Sequence, residues 1–148
     1  MKRRSIVARP MVAGLLFSLA IMAMCQTVKA ADVRVIASPD APVDTMDQKM
    51  IKHVFLGKKT TWSDGRPIEV VMLTSGDAHK AFLKIFIKKI PSQFFAFWRK
   101  QIFSGKGSEP KSFSTESELV AYVARRDLAV GYVSSSTDVT SVKVVNEK

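Results

Sequence analysis

The sequence predicts an α/β fold in which a mixed, mostly parallel sheet is flanked by helices. Short β-rich stretches alternate along the chain with longer stretches whose apolar residues recur every three or four positions. Strands that alternate with helices are typical of layered α/β domains. These stretches fall within residues 31–148, which are enough for one hydrophobic core and too few for two. We therefore expect a single domain.

The first 30 residues have the composition of a secretory signal peptide. Basic residues precede an apolar run at 11–24, and Val28 and Ala30 are the small residues of a cleavage site. The run is shorter than the ~20 residues that a membrane-spanning helix needs. General export is our interpretation, with the twin-arginine route as an alternative because two arginines lie near the start. We expect cleavage after Ala30 and a periplasmic domain of residues 31–148.

Charge and cysteine usage restrict the function classes. Residues 1–30 hold five basic residues and no acid, so cleavage lowers the formal net charge from +10 to +5. A moderate positive charge attracts anions but does not indicate nucleic acid. The single cysteine, Cys25, lies in the signal peptide, so the mature chain has no disulfide. A lipid-modified Cys25 is the alternative, although Met24 stands where lipoprotein signals carry a small residue.

The first strand and helix follow the expected cleavage site. "VRVIAS" alternates apolar residues and predicts a strand. After the loop "PDAPVD", Thr45 and Gln48 have the spacing of a capping box, which predicts a helix that Gly57 ends. A basic loop and an Asp-Gly turn then surround Trp62, which no secondary-structure period requires.

The remaining elements continue the alternation. "IEVVML" predicts the second strand and "AHKAFLKIFIKK" the second helix. Pro91 opens a third helix that Gly105 ends, and Thr115 with Glu118 forms a capping box before the fourth helix, "LVAYVARR". "LAVGYV" and "VKVV" predict the last two strands.

The loops that follow the first two strands are the predicted ligand site, because ligands of such sheets gather at the carboxyl ends of strands. In "TSGDAH", Gly76 permits a tight turn, Ser75 offers a hydroxyl, and the helix start offers free N–H groups to an anion. Asp77 can accept the proton of a monohydrogen oxyanion. The alternative is that Ser75 or Asp77 merely caps the helix. The expected oxyanion-binding residues are Ser75, Gly76, Asp77, Ala78 and His79, with Ser38 across the cleft.

Catalytic and cofactor motifs do not stand out in the sequence. It has no nucleophile elbow, no phosphate-binding P-loop and no nucleotide-binding fingerprint. The two histidines, His53 and His79, have no neighbours at metal-ligand spacing. We therefore expect no enzyme activity, no catalytic residue, no cofactor and no metal.

The basic and aromatic stretch 80–103 has two interpretations. Lysines that oppose a broad apolar face are typical of a membrane-surface segment. We favour core packing, because a chain of this length cannot build its core without Phe82, Phe94, Trp98 and Phe103.

Three segments together resemble a known family. "IKHVFLGKKTTWSDGRPIEVV", "FFAFWRKQIFSGKGSEP" and "ELVAYVARRDLAVGYV" resemble, in order and spacing, the phosphate-binding proteins of phosphate ABC importers, particularly their short single-domain relatives. The resemblance spans roughly 33–145 and implies one lobe of the type II periplasmic-binding-protein fold. It also implies that Trp62 is a packing anchor whose indole N–H binds the backbone, with Lys58 and Lys59 in solvent. His79 falls where larger members often have a basic or polar ligand contact.

The resemblance implies an exported domain that binds phosphate or a similar oxyanion without catalysis, for ABC-type phosphate uptake. Its expected partners are a transporter permease or another envelope protein, and a second copy of the chain is a further candidate. The chain is about one lobe long, so a lone lobe leaves its anion half in water, where each bond is weakened. An envelope adaptor that has lost ligand binding and a cationic membrane-surface protein are the alternatives.

Overall fold

A computed structural model of the protein describes residues 32–146, so the predicted signal peptide lies outside the described residues. The strands are β1 (Val33–Ala37), β2 (Glu69–Leu73), β3 (Lys111–Phe113), β4 (Ala129–Ser134) and β5 (Lys143–Val144). The helices are α1 (Gln48–Phe55), α2 (Asp77–Phe82), α3 (Pro91–Phe103) and α4 (Glu116–Ala124), and a π-helical turn, Leu83–Ile87, continues α2. Within this part of the chain no helix has the length and apolarity to cross a bilayer.

The strands form one sheet in the order β3-β2-β4-β1-β5. β2 pairs in parallel with β3 and β4, whereas β1 pairs antiparallel with both β4 and β5. Among the described strands, four therefore run in one direction and only β1 runs in the other. The mixed, mostly parallel sheet flanked by helices is confirmed. β3 was not expected, because its three residues carry too short a pattern to predict a strand.

The core lies on both faces of the sheet. On one face Phe82 stacks on Tyr132 with ring centroids 3.8 Å apart, and Phe55 meets Phe82 at 4.7 Å. On the other face α4 packs Leu119 against Gly131, where an added Cβ would lie 2.8 Å from the Leu119 Cδ2 atom. Successive strand residues point to opposite faces. Gly131 and Tyr132 are adjacent in β4 and therefore point to opposite faces. Tyr132 faces the layer that contains α1 and α2, and Gly131 faces the layer that contains α4.

Two helix boundaries follow the predicted sequence signals. At α4, the Glu118 N–H donates to the Thr115 hydroxyl at 3.2 Å, and the Thr115 N–H donates to the Glu118 carboxylate at 3.3 Å, which confirms the capping box. At α3, Pro91 occupies the first turn as predicted. Gly105 follows the helix with a φ of 67°, the left-handed conformation that suits a glycine stop.

The start of α1 differs from the prediction. The capping box at Thr45 and Gln48 is wrong, because Asp47 caps the helix by accepting from the Met50 N–H at 2.6 Å. The cause is Met46, whose N–H donates to the backbone of the C-terminal segment at 2.5 Å. Because of that bond the chain stays extended up to Met46. The helix therefore begins after Asp47 rather than after Thr45.

Trp62 is a packing anchor, as the sequence predicts. Its side chain is 2% exposed, and its Nε1–H donates to the Leu128 carbonyl at 3.3 Å. Its backbone carbonyl also accepts from Gly65 at 3.1 Å, within the Asp-Gly turn. Trp62 thus fixes the loop that leads from α1 to β2 against the loop that leads into β4.

Candidate functional site

The predicted anion-binding loop lies between β2 and α2, which begins four residues after β2 ends. Gly76 precedes the helix with a φ of 101°, a conformation that favours glycine. No side chain caps α2, so the N–H groups of Asp77, Ala78 and His79 have no hydrogen-bond partner within residues 32–146. The alternative that Ser75 or Asp77 merely caps the helix is therefore wrong.

His79 is held as a neutral ring by a buried tyrosine. Its Nδ1 lies 2.6 Å from the Tyr132 Oη, and that hydroxyl accepts from the Leu73 N–H at 3.2 Å. Tyr132 is 1% exposed, so its own proton has only the His79 Nδ1 to go to among the described residues. Burial lowers the pKa of His79 and raises the pKa of the Tyr132 hydroxyl. The imidazole therefore carries its proton on Nε2, which is left as a donor.

A cleft of about 560 Å³ opens beside His79, between the ends of β2 and β3 and the helix α3. This volume is in the ordinary range for small-molecule sites, which are mostly apolar with a few polar groups. The cleft follows that pattern. Its polar and charged lining residues are Thr74, His79, Ser92, Arg99, Glu109 and Ser112, and its apolar lining residues include Met72, Phe94, Phe95 and Ile102.

Arg99 is the cation of this cleft. It lies four residues after Phe95 and three before Ile102, so the three side chains share one face of α3. Its guanidinium sits 5.5 Å from the Phe95 ring centroid and forms no ion pair within residues 32–146. Arg99 was not among the residues predicted from the sequence. The helical spacing could have indicated it, because this spacing places Arg99 between Phe95 and Ile102, two apolar residues that are not part of the core.

The five residues predicted after β2 do not all face the cleft. His79 lines it, whereas Ser75, Gly76, Asp77 and Ala78 are not among its lining residues; the first three are exposed and Ala78 is buried. The Asp77 carboxylate lies 3.8 Å from the ammonium group of Lys80, on the solvent side. From this loop and helix start, only Thr74 and His79 reach the cleft.

Ser38 does not lie across the cleft, and this part of the prediction is wrong. β1 runs against its neighbours, and its last residue, Ala37, pairs with Val130 at the start of β4. Ser38 is thus at the end of the strands opposite to Ser75, roughly 20 Å away along the strand direction at the ordinary rise per residue. It is fully buried, and its Oγ accepts from the Ala129 N–H at 2.9 Å. Ser38 serves the core.

Other clusters of titratable side chains are weaker candidates for a ligand site. In the described part of the chain, no three His, Cys, Asp or Glu side chains lie together as a metal site would require. Burial raises the pKa of the Glu69 carboxyl, but hydrogen bonds from Arg126 and Tyr122 outweigh it, and the net pKa is lowered. The Arg126 Nε lies 2.9 Å from this carboxylate, so the charge is already paired. This cluster fastens α4 to β2.

Several solved structures share this fold. An ABC-type phosphate transport receptor from Vibrio cholerae matches with a TM-score of 0.60 at 19% identity, over 80% of this chain and 47% of its own. PstS from Borrelia burgdorferi matches with a TM-score of 0.61 at 10% identity, over 78% and 47%. A protein from Clostridium perfringens, whose crystal structure is described as that of a phosphate ABC transporter substrate-binding protein with bound phosphate, matches with 0.60 at 21%, over 78% and 44%.

This chain has the fold of phosphate substrate-binding proteins. The resemblance found in the sequence is therefore confirmed at the level of the fold. The chain spans less than half the length of each of these structures. The sequence itself matches no family model and no curated protein.

Proposed function

We propose that the protein is an exported domain that binds phosphate or a similar small oxyanion without catalysis. The observation that carries the proposal is the uncapped start of α2 beside the His79 Nε2–H, at the edge of a cleft that Arg99 supplies with positive charge. Backbone N–H groups at a helix start and a guanidinium are the donors that oxyanions prefer. The substrate-binding-protein fold supports the same conclusion, and one structure with this fold is described with bound phosphate.

Each polar group contributes a different interaction to the recognition of the anion. The N–H groups of Asp77 and Ala78 and the Ser75 hydroxyl donate to its oxygens, and His79 donates as a neutral ring. A neutral donor adds direction without adding charge, so Arg99 provides the main electrostatic attraction. The Asp77 carboxylate accepts the proton of a monohydrogen oxyanion and repels a fully ionised one. This favours monohydrogen phosphate over sulfate.

The exposure of the site sets the expected affinity. Ser75, Gly76 and Asp77 are exposed, so an anion bound by them stays partly in water. Solvent weakens each charge-assisted bond, so we expect modest affinity for the isolated chain. A transporter permease, another envelope protein or a second copy is the partner that would cover the open side.

The test is the melting temperature of residues 31–148 in a panel of anions at matched ionic strength. Phosphate at ~100 times its Kd stabilises a binding-competent fold by about 2.7 kcal/mol, which is easily measured. We expect phosphate and arsenate to raise the melting temperature and sulfate and chloride to leave it unchanged. Ser75→Ala and Arg99→Gln reduce the rise. Ser141→Ala and Arg125→Gln, at exposed residues outside the cleft, are the matched controls.

No rise with any anion at high millimolar concentration contradicts oxyanion binding. That outcome favours the adaptor function instead, in which the fold is kept and a protein partner is bound. An equal rise with all anions, unchanged in Arg99→Gln, contradicts the site and indicates a general salt effect.

A further inference from the structure

Large exposed apolar side chains are concentrated on one segment of the protein, residues 78–108. Phe82, Phe94 and Trp98 are buried in the core, as expected from the sequence, whereas Phe103 is not, so that part of the prediction is wrong. Leu83 and Ile87 are buried as well, and Phe86 and Phe97 are partly buried against the core. Within residues 32–146 there are six exposed large apolar side chains, and all except Val144 belong to this segment: Ile85, Ile90, Phe95, Ile102 and Phe103. Phe103 is 88% exposed, so packing within the chain does not account for it.

Positive charge is concentrated on the same segment. Residues 78–108 contain seven lysines and arginines and no acid, whereas the other described residues contain ten basic and twelve acidic side chains. Only Lys80 has an ion pair, with Asp77. The other six basic residues of the segment have no acidic partner within the described part of the chain.

Two adjoining regions carry many of these apolar and basic side chains. Lys84, Lys88 and Lys89 line a groove together with Ile90 and Pro91. Pro91 also lines the cleft whose outer wall is the exposed face of α3. The two regions therefore adjoin at the start of α3. We call this surface, from Lys84 to Phe103, the basic apolar surface.

We propose that the basic apolar surface binds the surface of an anionic lipid bilayer. Lysines around exposed aromatic and aliphatic side chains match a bilayer, because its headgroups attract the cations while its interface takes up the apolar groups. A second copy of the chain fits less well, since it would present the same unpaired cations and be repelled. A free polyanion in water fits less well too, because it would leave Phe95 and Phe103 exposed.

Membrane binding brings the mouth of the cleft to the bilayer, since Phe95 and Ile102 belong to both surfaces. The surface does not require an anion in the cleft. The inference is therefore independent of the proposed oxyanion function, and either can fail alone.

The test is sedimentation with vesicles, using residues 31–148 because the whole described core lies within them. Vesicles of phosphatidylcholine are compared with vesicles that contain roughly a third phosphatidylglycerol. We expect binding only to the anionic vesicles, and its loss at about 0.5 M salt, where charges are screened within a few ångströms. Phe103→Ser lowers the binding constant about tenfold through lost apolar burial. Lys84→Gln and Lys100→Gln lower it about fivefold each.

The controls separate this surface from exposed residues elsewhere. Val144→Ser removes the exposed apolar side chain outside the segment, and Arg125→Gln removes an exposed cation there, so both leave vesicle binding unchanged. Phosphate at constant ionic strength lowers the binding constant by about fivefold at most, which is the share of the one cation, Arg99, that also lines the cleft. Complete displacement by phosphate overturns the proposal, because it assigns binding to a headgroup in the anion site.

Equal binding to neutral and anionic vesicles, or an unchanged constant in Phe103→Ser, also overturns the proposal. Absence of binding to both kinds of vesicle overturns the proposal as well. An acidic protein then becomes the candidate occupant of the surface.

Discussion

His79 shows how the fold holds a buried histidine as a neutral ring. The Tyr132 hydroxyl occupies its Nδ1, and the hydroxyl is itself oriented by the Leu73 N–H. The sequence could single out His79, because it lies at the start of a helix after a strand. It could not indicate Tyr132, which is 53 positions away and reaches His79 only through the β2–β4 pairing. The tautomer is therefore a property of the fold.

The first prediction concerns the pH dependence of stability. Burial lowers the pKa of His79 in the folded state, so the unfolded chain takes up this proton more readily. The contribution of His79 is complete above the ordinary pKa of about 6.5 and is lost as the pH falls below it, by at most about 1.4 kcal/mol per pH unit. Urea unfolding between pH 5 and 8 measures it.

His79→Gln flattens this pH dependence. An unchanged slope in His79→Gln would mean that another group titrates there. The effect of Glu69 can be separated from that of His79. Because the pKa of Glu69 is lowered, its contribution to stability is lost below its ordinary pKa near 4.5, as the pH falls through the folded-state pKa.

The second prediction compares the two tryptophans. The Trp62 Nε1–H donates to the Leu128 carbonyl, whereas the buried Trp98 Nε1–H has no partner within the described residues. Both rings are at least nine-tenths buried, so replacement by phenylalanine removes similar volume. We expect Trp62→Phe to cost about 1 kcal/mol more than Trp98→Phe, because only the former breaks a hydrogen bond. Equilibrium denaturation measures both, and equal costs would contradict the assignment.

At the scale of elements, the sequence predicts best where a local interaction decides the boundary. The α4 capping box and the glycine stops after α1 and α3 are settled within a few residues of the chain, and the structure has all of them. Prediction fails where a distant partner decides. α1 starts late because Met46 pairs with the C-terminal segment, and Ser38 is misplaced because β1 is reversed. Local patterns do not encode strand direction.

The third prediction tests the packing of α4 on the sheet. Gly131 lies in β4, and a Cβ there would approach Leu119 to 2.8 Å and Val71 to 3.0 Å. We expect Gly131→Ala to destabilise the protein by about 1–3 kcal/mol, through overpacking. Chemical denaturation measures the loss.

The matched experiment adds Leu119→Ala to Gly131→Ala. The smaller side chain makes room for the new methyl group, so the double variant loses less than the sum of the two single variants. Strict additivity would show that the strain arises elsewhere.

At the scale of the whole molecule, the chain is one lobe whose candidate site lies at a single edge. The fold was predictable because strand and helix periods alternate strongly. The site was predictable in part: the loop after β2 was named, but Arg99 comes from α3 and Ser38 belongs to the opposite edge. Which elements meet at one edge depends on the strand order, and the sequence does not reveal that order.

The fourth prediction concerns the C-terminal segment. Val145 is fully buried, its N–H donates to Val35 at 2.9 Å, and the Asn146 Oδ1 accepts from the Val35 N–H at 2.8 Å. Ending the chain at Val142 should therefore cost about 3 kcal/mol or more, from lost apolar burial and broken hydrogen bonds. Thermal unfolding followed by circular dichroism measures the cost. Ser141→Ala, at an exposed residue just before this segment, is the control and should melt like the unaltered chain.

The reversed strand β1 also sets the order of events during folding. β1 is the first described strand, but its partners are β4 and β5, and the Val35–Asn146 bond joins residues 111 positions apart. The centre of the sheet therefore cannot close until nearly the whole chain is available. Such a high contact order slows folding. A chain that emerges N-terminus first therefore leaves β1 unpaired until β4 has been made.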